Sequence, residues 1–358
     1  MRYASLFSGI EAASAAWVPL GWEPVAFAEI DPFPCAVLAH RYPEVPNLGD
    51  VTKVDWRSFA DERGVPDVVV GGSPCQSFSV AGKREGLAGA SGLMWEFARA
   101  CAELRPRWVV WENVPGALSS SRGEDFRCLL ASLDELGYCV AWRVLDAQWF
   151  GVAQRRRRVF VVASLGDARA VEVLFEPECL RGDTPPRGEE GQEAAAGAGG
   201  GPGVRCLPFD STQVTSRQNG SRPKWGDACH PLCASASPPL VCMASASSGA
   251  EVMADKCPTL LARACNGAPV VSDGVSVRRV TPTECERLQG FPDGWTDVPY
   301  RGREHPADGP RYKALGNSMA VPVVRWIGER MERADALWET TCAGTTASRN
   351  RTKASGRE

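Results

Sequence analysis

Short apolar runs rich in β-branched and aromatic residues alternate with segments of helical spacing from residue 3 to about 164. Ala4-Ser5-Leu6-Phe7, Val25-Ala26-Phe27-Ala28, Val68-Val69-Val70, Arg107 to Trp111, Cys139 to Leu145 and Val159 to Ala163 read as strands. Pro34 to Arg41, Leu93 to Leu104 and Glu124 to Leu136 read as helices, the last stopped by Gly137, a residue type suited to a helix C-terminus. This alternation predicts βαβ units and therefore an α/β fold on a mainly parallel, doubly wound sheet. In such sheets, sites form beyond the carboxyl ends of the strands.

The pattern breaks near residue 166. Residues 181–204 are rich in Gly, Ala, Pro and Glu, a composition that buries little and reads as a linker. Residues 205–277 carry short apolar pieces between Ser, Pro, Gly and Asn, and read as a small loop-rich or short-stranded inserted module. Regular patterning returns at Thr281-Pro282, where a threonine cap and a first-turn proline start a helix. Val323 to Trp338 reads as the final helix, and Thr340 to Glu358 as a frayed polar tail. The expected organisation is a large domain in two pieces, 1–165 and 278–338, around an insert at 166–277, with 339–358 as the disordered tail.

Charge and composition exclude some classes. No apolar run is long enough to span a bilayer, and the N-terminal stretch lacks a signal-peptide pattern, so a cytoplasmic protein is expected. The 14 cysteines then read as reduced thiols and not as a disulfide framework. A net charge of −3 makes no global case for a nucleic-acid partner. Positive charge is instead local, in Gln154-Arg155-Arg156-Arg157-Arg158 at the mouth of a strand, where guanidinium forks suit phosphates or a pyrimidine carbonyl.

Five features carry chemistry. Cys75, in Gly72-Ser73-Pro74-Cys75-Gln76, follows the Val68–Val70 strand and is presented at its carboxyl end. Phe7-Ser8-Gly9 follows the first strand, where glycine admits a ligand's backbone or ribose. Glu29 closes the second strand about 20 residues on, the spacing of a ribose-hydroxyl acceptor in nucleotide-binding βαβ units. Glu112 ends the strand through Trp111, at the same sheet edge as Cys75, and could donate a proton. Gly316-Asn317-Ser318 precedes the final helical segment.

Together with Gly49-Asp50-Val51, Glu112-Asn113-Val114, the arginine run and Arg287-Leu288-Gln289-Gly290-Phe291-Pro292, these motifs occur in one order from residue 5 to about 325. In that order they resemble the DNA (cytosine-5)-methyltransferases, particularly prokaryotic and phage-borne members. The resemblance implies a Rossmann-like class I S-adenosylmethionine-dependent fold with a small inserted target-recognition domain. It also implies methyl transfer to C5 of a cytosine flipped out of duplex DNA. Cys75 would add to C6, Glu112 would protonate or hydrogen-bond N3, and Arg156 would steady the base carbonyl, with Gln154 and Arg158 supporting the loops. The methyl donor would lie along Phe7, the Gly9 backbone, Glu29, Asp50, Pro74, Leu93, Asn317 and Ser318, with Ile10, Ile30 and Val51 beside them. Residues 77–89 resemble a mobile loop whose Lys83 and Arg84 face phosphates, and Thr259-Leu260 resembles a pair from family recognition regions.

The resemblance further implies a monomer in a prokaryotic or phage-infected cell, with a cognate restriction endonuclease as a candidate partner. One departure stands out. Glu11-Ala12-Ala13 replaces the glycines usual after Gly9, which puts a tight second turn in doubt and argues against Glu11 as a ligand. Other readings stay open. The tRNA-methylating relatives share Pro-Cys-Gln and Glu-Asn-Val, although the long insert favours DNA. The Asp/Asn-Pro-Pro-aromatic tetrapeptide of amino-group methyltransferases is absent. Cys229, Cys233, Cys242, Cys257, Cys265 and His230 lack the paired spacing of a zinc site, so no metal is expected.

Overall fold

The computed structural model describes residues 1–74, 92–175, 243–244, 251–252, 270–272 and 277–354. Cys75, Lys83, Arg84, the 77–89 loop, the 181–204 linker, Thr259, Leu260 and the cysteines from Cys229 to Cys265 lie outside the described residues.

The first half runs β1 (Arg2–Leu6), α1 (Ala12–Trp17), β2 (Glu23–Ala28), α2 (Pro32–Arg41), α3 (Trp56–Arg63), β3 (Val68–Gly71), α4 (Gly92–Leu104) and β4 (Trp108–Asn113). It continues with α5 (Glu124–Glu135), β5 (Tyr138–Asp146), β6 (Arg157–Leu165) and α6 (Arg169–Leu174). These six strands form one sheet in the order β2-β1-β3-β4-β6-β5. The strand order reverses between β1 and β3, which places the expected site at that edge.

Period-2 alternation sends successive valines of β3 to opposite faces, and both faces are buried. Val68 and Val70 pack with Ile10, Trp17 and Phe160 on one side, Val69 with Leu6, Phe97 and Leu129 on the other. The doubly wound arrangement is therefore as expected, with one correction. β2, β1, β3 and β4 are parallel, but β6 is antiparallel to both β4 and β5. A parallel pairing needs a crossover of about a dozen residues or more, usually a helix. The connection from Asp146 to Arg157 holds only one 3-10 turn, Ala147–Trp149, so the chain turns straight back on itself.

The return segment adds α7 (Pro282–Gln289), α8 (Asp308–Asn317) and α9 (Val321–Ala354). A full capping box starts α7, with Thr281 and Glu284 satisfying each other's backbone amides. α9 packs against α1 through Trp17, whose indole N–H donates to the Val324 carbonyl at 2.8 Å. This last helix runs to Ala354 where a helix ending at Trp338 and a disordered tail were expected. Residues 339–354 contain no proline to stop the helix, although threonine, glycine, serine and asparagine make up half of them. Within the insert region, β7 (Met243–Ala244) pairs antiparallel with β8 (Glu251–Val252), and β9 (Val270–Ser272) with β10 (Val277–Arg279). Among the described residues, no helix is long and apolar enough to cross a membrane.

The second turn after β1 forms without a second glycine. Phe7, Gly9 and Glu11 all take left-handed conformations, with φ of 53°, 56° and 63°. At Glu11 this costs about 1–2 kcal/mol, and its carboxylate offsets the strain by capping α1 through the Ser14 amide at 2.9 Å. Glu11 is 1% exposed. Burial pushes its carboxyl up to about 7, against the opposing Ser14 hydrogen bonds. The unfolded chain releases this proton near the ordinary value of 4.5, so folding stability falls as pH rises through about 7. The shift corresponds to roughly 3 kcal/mol. Glu11→Gln is expected to flatten that dependence, measured as urea midpoints at about pH 5 and about pH 8.

Candidate active site

The acid site grows from the ends of β3 and β4. Val109-Val110-Trp111 runs buried to Glu112 and Asn113, themselves 7% and 3% exposed. A Cβ on Gly72 would lie 3.1 Å from both the Glu112 carbonyl and its Oε2, so a larger residue there would press on this carboxylate. The chain beyond Gly72 is pinned to β4. Asn113 Nδ2 donates to the Ser73 carbonyl at 3.1 Å, and the Trp111 indole to Ser73 Oγ at 3.3 Å. Sequence reasoning singled out neither Trp111 nor Ser73; only the tertiary pairing of β3 with β4 brings them together. Cys75 is two residues beyond this anchored serine.

Burial pushes the Glu112 carboxyl up, and the nearby Arg158 and Arg156 guanidinium groups pull it back. Arg158 Nε approaches Glu112 Oε1 to 3.1 Å. The outcome is a carboxyl biased toward its protonated form beside a fixed positive charge, as a general acid needs.

The start of β6 at Arg157 divides the arginine run. Arg156 is 2% exposed and Gln154 is fully buried, while Arg157 faces solvent. The Arg156 guanidinium donates to the carbonyls of Gly316 and Ser318, at 3.2 and 2.6 Å. Arg155 lies 3.9 Å from Asp146. The arginine placed on the acid is therefore Arg158, expected only as loop support, and the geometry gives Arg156 a clamp on the return segment.

The residues expected to face the methyl donor gather at the ends of β1 and β2. Glu29 Oε2 accepts the Gly9 amide at 2.8 Å, and Oε1 accepts the amides of Ile30 and Asp31 at 2.8 and 2.7 Å. These bonds hold the carboxylate against the Phe7–Gly9 turn. Asp50 caps a single turn, accepting from the Thr52 amide at 3.1 Å and the Thr52 hydroxyl at 2.8 Å. The Thr52 hydroxyl is the largest influence holding Asp50 below the usual carboxylate range. Ile30 is 69% exposed beside Glu29, an apolar surface suited to a planar base. Phe7 and Leu93 are half-buried against the core, Val51 is buried, and Pro74 is exposed. Ile10 is fully buried in the core, so it can offer a ligand only its backbone.

The return segment closes this side. Lys313 of α8 pairs with Asp31 at 2.5 Å, tying α8 to the Glu29 corner. Asn317 ends α8 in an exposed position, whereas Ser318 is buried with its hydroxyl on the Met319 carbonyl. Behind it, Glu286 is fully buried and accepts from the Thr296 amide at 2.8 Å, the Gly294 amide at 2.7 Å and Arg311 at 3.2 Å. The Thr281–Pro292 stretch owes its shape to this network, which no local spacing announces.

A sheet covered by helices on both faces, with an acid and a glycine-framed carboxylate at adjacent strand ends, is the architecture of class I methyltransferases. The fold matches that of the Dnmt2 methyltransferase of S. pombe at a TM-score of 0.62 and 18% identity, covering 91% of this chain and 97% of that one. In sequence, the chain is 29% identical to the type II methyltransferase M2.BsuMI of Bacillus subtilis over 93% of its own length and 76% of that protein. It is 38% identical to a DNA N-6-adenine-methyltransferase of Escherichia phage P1, across 93% of this chain but 61% of that protein. The family model for C-5 cytosine-specific DNA methylase matches residues 1–186 and 211–333. The chain belongs to that family.

Proposed function

We propose that this protein transfers a methyl group from S-adenosylmethionine to C5 of a cytosine flipped out of duplex DNA, through a transient bond between Cys75 Sγ and C6 of the base. The observation that carries this reading is the buried Glu112–Arg158 pair, packed against Gly72 and the anchored Ser73 that leads to Cys75.

The donor-side residues fit the cofactor. A Cβ on Gly9 would meet nothing within 4 Å, so space lies open over this turn. The Glu29 carboxylate beside it suits ribose hydroxyls, Asp50 an adenine amine, and Ile30 and Phe7 the faces of the base. S-adenosylmethionine supplies an electrophilic methyl group there. Ring carbon C5 is a poor nucleophile, so a thiolate at Cys75 adds first to C6. Glu112 gives its proton to N3, and Arg158, not Arg156, holds the acid in place and faces the base carbonyl. After methyl transfer, the C5 proton passes to a solvent base, the Sγ–C6 bond breaks to release the thiolate, N3 returns its proton to Glu112, and aromaticity is restored.

The name of the phage P1 relative describes a longer protein, and the acid constellation of this chain suits C5 chemistry. Mass spectrometry of nucleosides from DNA of cells expressing the full chain is expected to show 5-methylcytosine. N6-methyladenine alone would overturn the reading. Duplex DNA carrying 5-fluorocytosine is expected to become covalently attached to the protein, because fluorine cannot leave as a proton. Active enzyme that leaves this duplex free in a denaturing gel would refute the addition step.

A further inference from the structure

The carbonyls at the end of a helix have no partner within the helix. At the end of α8 they are met by two buried side chains from elsewhere in the chain. Gln289, fully buried at the end of α7, donates its Nε2 to the Leu315 carbonyl at 2.8 Å. Arg156, at the entrance to β6, spans the Gly316 and Ser318 carbonyls on either side of Asn317. Asn317 itself stays exposed, and Lys313 one turn earlier reaches Asp31 beside Glu29. The same Arg156 guanidinium lies within the electrostatic reach of Glu112 and Arg158. One planar side chain thus touches the donor-side loop while standing behind the acid that serves the base.

We propose that Arg156 and Gln289 are positioning residues for the methionine end of the methyl donor, acting through the Gly316-Asn317-Ser318 backbone. Arg156 thereby sets the separation between donor and flipped base. This rests on the reading of Asn317 and Ser318 as donor contacts. Both bonds come from one terminal nitrogen, Nη2, which the long arginine side chain carries between two carbonyls that diverge around one residue, and a lysine has neither that reach nor a planar group to pack in the same place. Removing it leaves two backbone acceptors to find other partners and frees the loop.

The test uses the full chain, with S-adenosylmethionine binding measured by calorimetry without DNA. Steady-state KM values for donor and duplex are measured alongside. Arg156→Lys and Gln289→Met are each expected to weaken donor binding by about tenfold, with the KM for DNA changed by less than about twofold. Arg158→Lys is expected to do the reverse, lowering kcat with donor affinity intact. Asn317→Ala combined with Arg156→Lys should cost no more donor affinity than the larger single change, because both act on one contact. A simple folding defect would give additive losses in that cycle. Donor affinity within about twofold of wild type in both Arg156→Lys and Gln289→Met would overturn the inference. A wild-type chain that binds no S-adenosylmethionine would instead overturn the functional reading beneath it.

Discussion

Cys75→Ser is expected to lower methyl transfer by at least about 10⁴-fold while leaving S-adenosylmethionine affinity within about twofold of wild type. A serine hydroxyl is barely ionised at neutral pH, whereas a thiol is within reach of its thiolate and is intrinsically a strong nucleophile. The groups proposed to hold the donor lie just beyond β1 and β2 and on α8, so loss of the sulfur leaves their hydrogen bonds intact. Single-turnover transfer of labelled methyl to duplex DNA reads the first quantity, and calorimetry the second. Serine enzyme with near-normal turnover would mean that another group attacks C6. Loss of donor binding in step with activity would mean that Cys75 shapes the donor pocket instead.

Glu112→Gln is expected to cost about 10²–10⁴-fold in kcat, the range for removal of a general acid. The amide keeps the size of the carboxyl and can still hydrogen-bond N3, but it cannot deliver a proton. The direction of the pH effect follows from the site. Burial raises Glu112 from its ordinary value, and the acid works only while protonated, so wild-type activity falls as pH rises through the raised value. The glutamine variant, having no proton to lose there, should show a flat profile over the same interval. A wild-type profile without this descending limb, or one that persists unchanged in the variant, would assign the limb to another group.

The two variants probe opposite sides of the same ring, and their anchoring differs. Glu112 is held by a strand buried on both faces and by Arg158, so its position is set by the sheet. Among the described residues, the approach to Cys75 is held by side-chain contacts to Ser73 from Asn113 and Trp111. Asn113, the middle residue of Glu-Asn-Val, therefore ties the strand of Glu112 to the segment that leads to Cys75.

Much of the fold was legible in sequence because β-branched runs of four to six residues have few alternatives to burial in a sheet. β3 and β4 fell where Val68–Val70 and Arg107–Trp111 placed them, to within a residue or two. Helices α1 and α3 were not singled out. α1 is short, alanine-rich and opened by a left-handed glutamate, a start signal outside the usual cap set. The antiparallel course of β6 also escaped notice, since its apolar pattern is that of any buried strand. Pattern reports burial, and it carries no direction.

Residue types and order determined the chemistry on offer. A cysteine after Val-Val-Val-Gly-Gly, a glutamate at the end of the strand through Trp111, and a carboxylate closing the strand after the Phe7–Gly9 turn are all read from the chain without knowledge of the packing around them. Tertiary structure decided which side chain serves which partner. Four consecutive arginines are equivalent in composition, and it is their place along the chain, Arg158 inside β6 beside β4 and Arg156 just before the strand begins, that sends Arg158 to Glu112 and Arg156 to the carbonyls of a loop 160 residues away. Hydrogen bonds of that kind depend on distance and angle between groups remote in the chain, and local sequence encodes neither.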